Sequence, residues 1–318
     1  MPTITDTNSR SQEPVAVMDL GTNTFHLLIA YGEPGAHTEL LHLTEPVKLG
    51  QGGINKGIIQ PDAFERGIDT MNAFGNHIKQ HNVKVIKAMA TSALRSTSNG
   101  PDFIAQVKAN TGIDIEIING DTEAAYIYEG VRSSGCLGNE RSLIIDIGGG
   151  SVEFIICNKE GITWKQSFEI GAARLMDKFH QIDPMPADAI GAVNDYLETT
   201  LEPLFSAVKE TPVTRIVGSS GAFETFAEVI ELEKGNAFHL NNLKCMDFDE
   251  DEFIALTSRL ISSSHQERAN TKGIIPLRVD MIVMASLITR FVLHKLSIHQ
   301  VAMTTYSLKE GVLAQLLS

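Results

Sequence analysis

The chain has 318 residues, 43% of them hydrophobic and 20% charged, with a formal net charge of −13. That length exceeds what one hydrophobic core usually serves and predicts two domains, while the acidic balance excludes a nucleic-acid polymer, which needs a basic face. A small polyanion remains admissible, because local amides, a few Arg and Lys side chains and a divalent cation can bind one.

Residues 1–14 are polar, lack the apolar stretch of a signal peptide and read as a flexible tail. Val15–Leu20 and Phe25–Tyr31 are apolar and β-branched and flank the polar turn Gly21, Thr22, Asn23, Thr24, which is a hairpin pattern. Glu39–Val47 is expected as a third strand. Asp62–Gln80 carries Phe64, Ile68, Met71, Phe74 and Ile78 on one helical stripe behind Pro61. A strand over Val83–Ala90, a helix over Asp102–Asn110 and a strand over Ile113–Ile118 follow. The pattern then restarts. Ser142–Ile147, the turn Gly148, Gly149, Gly150, Ser151, and Val152–Cys157 form a second hairpin, with Ile162–Ile170 as its third strand. One long helix is expected over Asp188–Val208 from Ile190, Val193, Leu197, Leu201, Leu204 and Val208. Thr214–Gly218 leads into a helix from Ala222. Helices at Asp249–Ser263, Asp280–Lys295 and Ser307–Leu317 and a strand at Ile298–Met303 complete an α/β chain.

The apolar run Val279–Leu293 contains Asp280 and Arg290 and is too short to span a bilayer. Cys136, Cys157 and Cys245 show no CxxC spacing, and this sparse, odd count predicts a reducing compartment with no disulfide. The expected location is therefore cytoplasmic, without a membrane partner.

The two hairpins superpose. The run from Asp19 through Gly21 and Thr24 to Ala30 aligns position for position with the run from Asp146 through Gly148 and Ser151 to Cys157. Glycine lets a backbone approach a ligand closely, and successive amides in such a turn form a nest for an anion. A carboxylate at the end of the preceding strand repels phosphate unless a hard cation such as Mg²⁺ lies between them. Two facing hairpins of this design would clamp a phosphate chain between two similar domains. A Rossmann loop leads from strand into helix, whereas Ser151–Cys157 alternates as a strand. No GxxxxGK[ST] occurs anywhere. Gly218, Ser219, Ser220 and Gly221 lie where a strand meets a helix N-terminus, a ready anion or nucleotide site. The ten histidines contain no HExxH, and His26 is expected as a packed strand residue.

Taken in order, the segments Asp19–His26, Gly120–Ala125, Asp146–Glu153, Gly171–Leu175 and Gly218–Ala222 resemble the exopolyphosphatase/guanosine-pentaphosphate phosphohydrolase family over about residues 15–317. The resemblance implies two duplicated actin-like (ASKHA, ribonuclease H-like) domains with a cleft between them. The halves would span 15–130 and 131–318, with packing of the last helix on the first half left open. It further implies that Glu123 is the catalytic base and that Asp146 serves in metal binding and catalysis. The loop Gly148–Ser151 would hold phosphate with Gly21–Thr24, and Glu153, with help from Asp19, would complete the end that holds Mg²⁺ or another divalent cation. Arg95 matches a phosphate-contacting position, Arg278 looks like another recurrent family Arg that would bind phosphate, and Arg278 and Arg174 are the weaker candidates. The implied reaction is removal of a terminal phosphate from polyphosphate or guanosine pentaphosphate. An ATP-dependent kinase and a non-catalytic binder of the same anions are the alternatives, and a homodimer is left open. Two departures count. Thr305–Gly311 replaces the family's Asp-Gly-Ala-Leu-Arg-Glu-Gly, which weakens any substrate contact from this segment. The helical extension of longer members is missing, which weakens the case for processive action on long chains.

Overall fold

The computed structural model describes residues 13–240 and 243–318; the expected tail lies outside them as far as residue 12. β1 (Val15–Leu20), β2 (Phe25–Glu33) and β3 (Ala36–Glu45) form an antiparallel meander, as their apolar runs between polar turns require. α1 (Pro61–Gln80) opens on its proline and buries Ile68, Met71, Phe74 and Ile78. β4 (Val85–Ala90), α2 (Ser92–Arg95), α3 (Gly100–Thr111), β5 (Ile115–Ile117) and α4 (Gly120–Ser133) follow. β4 runs parallel to β1, and β5 parallel to β4, so the sheet order is β3-β2-β1-β4-β5.

The second half repeats the plan. β6 (Ser142–Ile147), β7 (Val152–Asn158) and β8 (Gly161–Phe168) make the meander, and α5 (Ala172–Phe179), α6 (Ala187–Thr200) and α7 (Glu202–Glu210) cover it. β9 (Arg215–Ser219), α8 (Gly221–Glu233), β10 (Cys245–Asp247), α9 (Glu250–Ser262), α10 (His265–Asn270), α11 (Met281–Leu296), β11 (Gln300–Thr304) and α12 (Leu308–Leu316) complete it. The order is β10-β11-β9-β6-β7-β8. Without the edge strand β10, it matches the first sheet in order and in every strand direction. This is the duplicated actin-like, ribonuclease H-like α/β architecture.

Three expectations are corrected. The helix over Asp188–Val208 is two helices, broken at Leu201. Pro203 lacks an amide hydrogen and clashes with the preceding turn, while Val193, Leu197, Leu201 and Leu204 still reach the core across the break. The strand over Ile113–Ile118 shrinks to three residues. Cys136 and Cys245 form a disulfide across 109 residues. Pairing of Cys245 with Thr304 on β11 and the position of Cys136 beside the Met303 carbonyl put both thiols at one sheet edge, a proximity that linear spacing does not reveal. Cys157 remains free and buried.

Each sheet has its own core, and a third apolar cluster joins them. Val17 and Leu28 from the first sheet and Ile144, Ile155 and Val217 from the second meet there with Ile127 and Val131 of α4 and Val312 and Leu313 of α12. The end of the chain thus lies against α4 and β1. The two helices approach through glycines. A Cβ on Gly130 would stand 2.0 Å from the Ser307 carbonyl oxygen, and one on Gly311 would stand 1.9 Å from that of Tyr126. Gly311→Ala must therefore push backbone apart, at about 1–3 kcal/mol for an overpacked site. Urea unfolding should show a lower midpoint of that size; an unchanged midpoint would contradict so close a crossing.

Candidate active site

The two glycine turns face each other in contact. A Cβ on Gly149 would stand 2.3 Å from Asn23 Nδ2, and one on Gly150 would stand 2.6 Å from Thr22 Oγ1. Each turn closes on itself in the same way, Gly21 N donating to Thr24 O at 3.0 Å and Gly148 N to Ser151 O at 3.0 Å. Each is also tied from behind by the segment after its third strand. Lys48 N donates to Asn23 O at 2.8 Å and Gly50 N to Thr22 O at 3.0 Å; Gly171 N donates to Gly150 O at 3.1 Å, Ala172 N to Gly148 O at 2.9 Å and Ala173 N to Gly149 O at 2.9 Å. The carbonyls are thereby satisfied. Among the described residues the amides of Thr22, Asn23, Gly149 and Gly150 donate to no protein acceptor, and all four residues line the cavity between the lobes. Unpaired buried donors are rare, and a set of them at one wall is an anion nest.

That cavity measures about 130 Å³. Asp19, Glu123, Asp146 and Glu153 all contribute to its wall, as do Thr24, Ser151, Ser220, Gly221 and Arg278. Asp19 and Asp146 end β1 and β6, and Glu153 stands opposite Asp146 on β7. Glu123 lies in the first turn of α4, whose N-cap Asn119 accepts from Thr122 N at 2.8 Å. Glu123 is 7% exposed and Glu153 1%. Burial pushes the Asp19 carboxyl up to about 7, against the opposing pull of Lys309. Burial likewise pushes Glu123 up to about 8, with the Arg95 guanidinium opposing it. Asp146 rises through burial although Ser219 Oγ donates to its Oδ2 at 2.8 Å. Glu153 rises well above the carboxylate range through burial and the neighbouring Glu123 and Asp146, although Ser167 Oγ donates to its Oε1 at 2.6 Å.

The remaining sequence-derived positions divide. Arg278 lines the cavity from the loop before α11 and fits only because residue 221 is glycine: a Cβ there would stand 1.6 Å from its Nη2. The fully buried Arg268 anchors that loop by donating from Nε to Val279 O at 2.6 Å. Arg95 stands behind Glu123, Nη1 donating to Glu123 Oε2 at 3.0 Å and to Ile118 O at 2.9 Å. It reaches the cavity only through that carboxylate. Gly218 stays out of the wall and makes room for the Phe223 ring. Ser219 touches the site through Asp146, and Ser220 takes a left-handed φ of 67° that β-carbon residues rarely adopt.

Sequence reasoning missed several wall residues. Lys309, 7% exposed, sits among the carboxylates with its Nζ 3.1 Å from Glu310 Oε1. Ser307 and Leu308 join it at the wall, so the altered segment Thr305–Gly311 reaches the cavity after all. The available signal was that Lys309 stands where the resembled motif has Arg. Glu224 of α8 and Thr91 also line the cavity and carried no motif. His26, expected as packing, is held between Thr24 Oγ1 at 3.1 Å and Thr44 Oγ1 at 3.0 Å. Burial, reinforced by Lys309, lowers its pKa well below the usual imidazole value, so the ring is neutral and fixes the Thr24 hydroxyl.

Among the described residues no three His, Cys, Asp or Glu side chains converge closely enough to ligate one ion. An all-protein cage is therefore absent there. The donor set suits Mg²⁺, which takes one or two carboxylates and completes its shell with water and phosphate oxygens. Asp19 is the most available donor, since its carboxylate accepts no side-chain hydrogen bond from the described residues.

A two-lobed α/β fold with paired glycine turns over an acidic, amide-lined cavity defines a phosphate-handling member of the actin-like class. The chain belongs to the Ppx/GppA phosphatase family, whose model matches residues 28–318. It is 26% identical over 306 residues to a guanosine-5'-triphosphate,3'-diphosphate pyrophosphatase of Photobacterium profundum, covering 95% of this chain and 59% of that one. A putative exopolyphosphatase of Haemophilus influenzae is 27% identical over 304 residues, with 95% and 91% covered. The crystal structure of an exopolyphosphatase from Cytophaga hutchinsonii superposes with a TM-score of 0.93 at 40% identity, covering 96% of this chain and 98% of that one. The chain thus spans 59% of the length of the Photobacterium relative and nearly all of the Cytophaga one. No helix among the described residues is long and apolar enough to cross a membrane.

The raised carboxyl values have a stability consequence. The folded protein keeps protons on Asp19 and Glu123 that the unfolded chain releases near pH 4. Their contribution is complete below that pH and is lost as pH rises through about 7 and 8. A divalent cation held at Asp19 would take the place of its proton. Mg²⁺ should therefore raise Tm more at pH 8.5 than at pH 5.5, and Asp19→Asn should shrink the difference. Equal shifts at both pH values would detach these carboxylates from the cation.

Proposed function

We propose that the chain hydrolyses the terminal phosphoanhydride bond of a polyphosphorylated substrate, inorganic polyphosphate or guanosine pentaphosphate. The observation that carries this reading is a buried glutamate, Glu123, opening onto the same cavity as two opposed sets of unpaired turn amides. In-line attack of water on a terminal phosphoryl group needs a positioned base and stabilisation of charge on the phosphoryl oxygens. Glu123 Oε1 is the carboxylate atom not held by Arg95 and takes the proton from water. The amides of the two turns, the Thr24 and Ser151 hydroxyls and the Arg278 guanidinium receive the phosphoryl oxygens. Lys309 offsets the repulsion between the carboxylates and the incoming anion. Asp19 and Asp146 would hold a divalent cation, with water completing its shell, and the cation would supply positive charge against the phosphates.

The cavity's 130 Å³ falls below the roughly 300–1,000 Å³ that accommodates a drug-sized ligand. It suits the end of a phosphate chain, with the rest of the substrate outside. That favours end-on attack on either substrate and leaves little space for a sugar acceptor, so hydrolysis is preferred to the kinase reading.

Glu123→Gln should lower kcat by about 10²–10⁴-fold, the usual worth of a general base, while tripolyphosphate binding persists. Unchanged phosphate release by this variant would remove Glu123 from the mechanism. Because the base acts deprotonated and burial raises it to about 8, kcat/KM should climb with pH from 6 towards 8 and then level. Phosphate release from both substrates, with and without Mg²⁺, identifies the preferred one.

A further inference from the structure

Outside the cavity, at the rim where the lobes meet, one carboxylate gathers three donors from different parts of the chain. Glu169, between β8 and α5, accepts from Ser92 Oγ at 2.7 Å and from Arg174 Nη2 at 2.5 Å on Oε2, and from Arg95 Nη2 at 3.1 Å on Oε1. Ser92 and Arg95 belong to the first lobe, Glu169 and Arg174 to the second. Two guanidinium groups and a hydroxyl converging on oxygen atoms is the arrangement that recognises phosphate, and an Arg fork suits it better than a point charge. The donors are preorganised. Arg174 is 15% exposed and Arg95 20%. Arg174 is pinned by Gly150 O at 3.1 Å, Ile54 O at 3.3 Å and Asn55 Oδ1 at 3.3 Å, and Arg95 by Ile118 O and Glu123. Glu169 itself is 46% exposed, and half-exposed ion pairs hold weakly.

The group adjoins the cavity. Arg95 reaches Glu123 with one nitrogen and Glu169 with the other, and Arg174 holds the back of the Gly150 turn. Ser92 crowds that turn from the same side, 2.4 Å from where a Cβ on Gly150 would lie. A phosphate chain whose end fills the cavity would carry a following phosphate within reach of this group.

We propose that Ser92 and Arg174 extend the phosphate contact the resemblance already gives Arg95 into a subsite for an inner phosphate of a chain substrate, and that the chain's own Glu169 carboxylate occupies it until substrate displaces it. A carboxylate offers two oxygens and one negative charge; an inner or terminal phosphate offers comparable geometry and brings the charge of its neighbours. Glu169 therefore acts as an internal competitor. It closes the lobes when no anion is present and raises the concentration at which short anions bind. This rests on the proposed substrate class, but not on Glu123 as base.

Calorimetric titration with methylenediphosphonate, which has no cleavable P–O–P bridge, tests displacement apart from hydrolysis. Glu169→Gln should bind it about tenfold more tightly than the unaltered chain, as expected when one charge-assisted contact no longer has to be broken. Adding Arg174→Gln should abolish the gain. Glu169→Ala, at a half-exposed position, should move affinity in the same direction if the Gln variant folds poorly. Unchanged or weaker affinity in the Glu169 variants, or a gain that survives Arg174→Gln, overturns the subsite. Hydrolysis that fails with every substrate would count against the catalytic reading alone, because this titration needs no turnover.

Discussion

The molecule depends on the contact between two β-turns from different lobes. Each turn has its carbonyls bonded from behind and, among the described residues, its tip amides left without a protein acceptor, and the two tips touch. Such amides are costly to bury, so the surrounding structure must hold them in place. The doubled sheets, the shared apolar cluster of α4 and α12, and the glycine crossing between those helices supply that support. Because the turns are so close, small side chains at their tips are a packing requirement as well as a conformational one.

Around this contact the electrostatics oppose each other. Asp19, Glu123, Asp146 and Glu153 share one small volume, and burial together with mutual repulsion favours their protonated forms. An anionic ligand cannot enter such a site unless cations compensate. Lys309 and Arg278 do so from inside the wall, while Arg95 is already divided between Glu123 and Glu169. The lobes are therefore bridged by the same charges that the proposed phosphate subsite would recruit. Arg174 belongs to that bridge as well, since it bonds Gly150, Glu169 and the first-lobe residues Ile54 and Asn55.

Much of this was legible in the residues. The two hairpins, their glycine turns and the carboxylates ending β1 and β6 follow from local alternation and turn chemistry, and the matching runs from Asp19 and Asp146 foretold the duplicated sheets. Glu123 could be singled out only through its motif, because a first-turn glutamate is otherwise an ordinary partner of the helix dipole. Glu224 carried no motif, and Lys309 only its place where the resembled motif has Arg; the crossing of α12 over α4 and the approach of α8 bring them to the cavity. The break at Leu201 was signalled by Pro203 but masked by an apolar stripe that continues across it.

By itself the sequence determined the local chemistry: which segments alternate, where glycine frees a turn, and which acids and hydroxyls stand at the strand ends. These properties act over a few residues, so order along the chain suffices. Only the tertiary structure decided which groups share a dielectric environment. That is why the raised carboxyls, the Cys136–Cys245 bond, the neutral His26 and the three donors around Glu169 emerge from the fold. Each depends on distances between residues far apart in the chain, set when the two sheets close on one another.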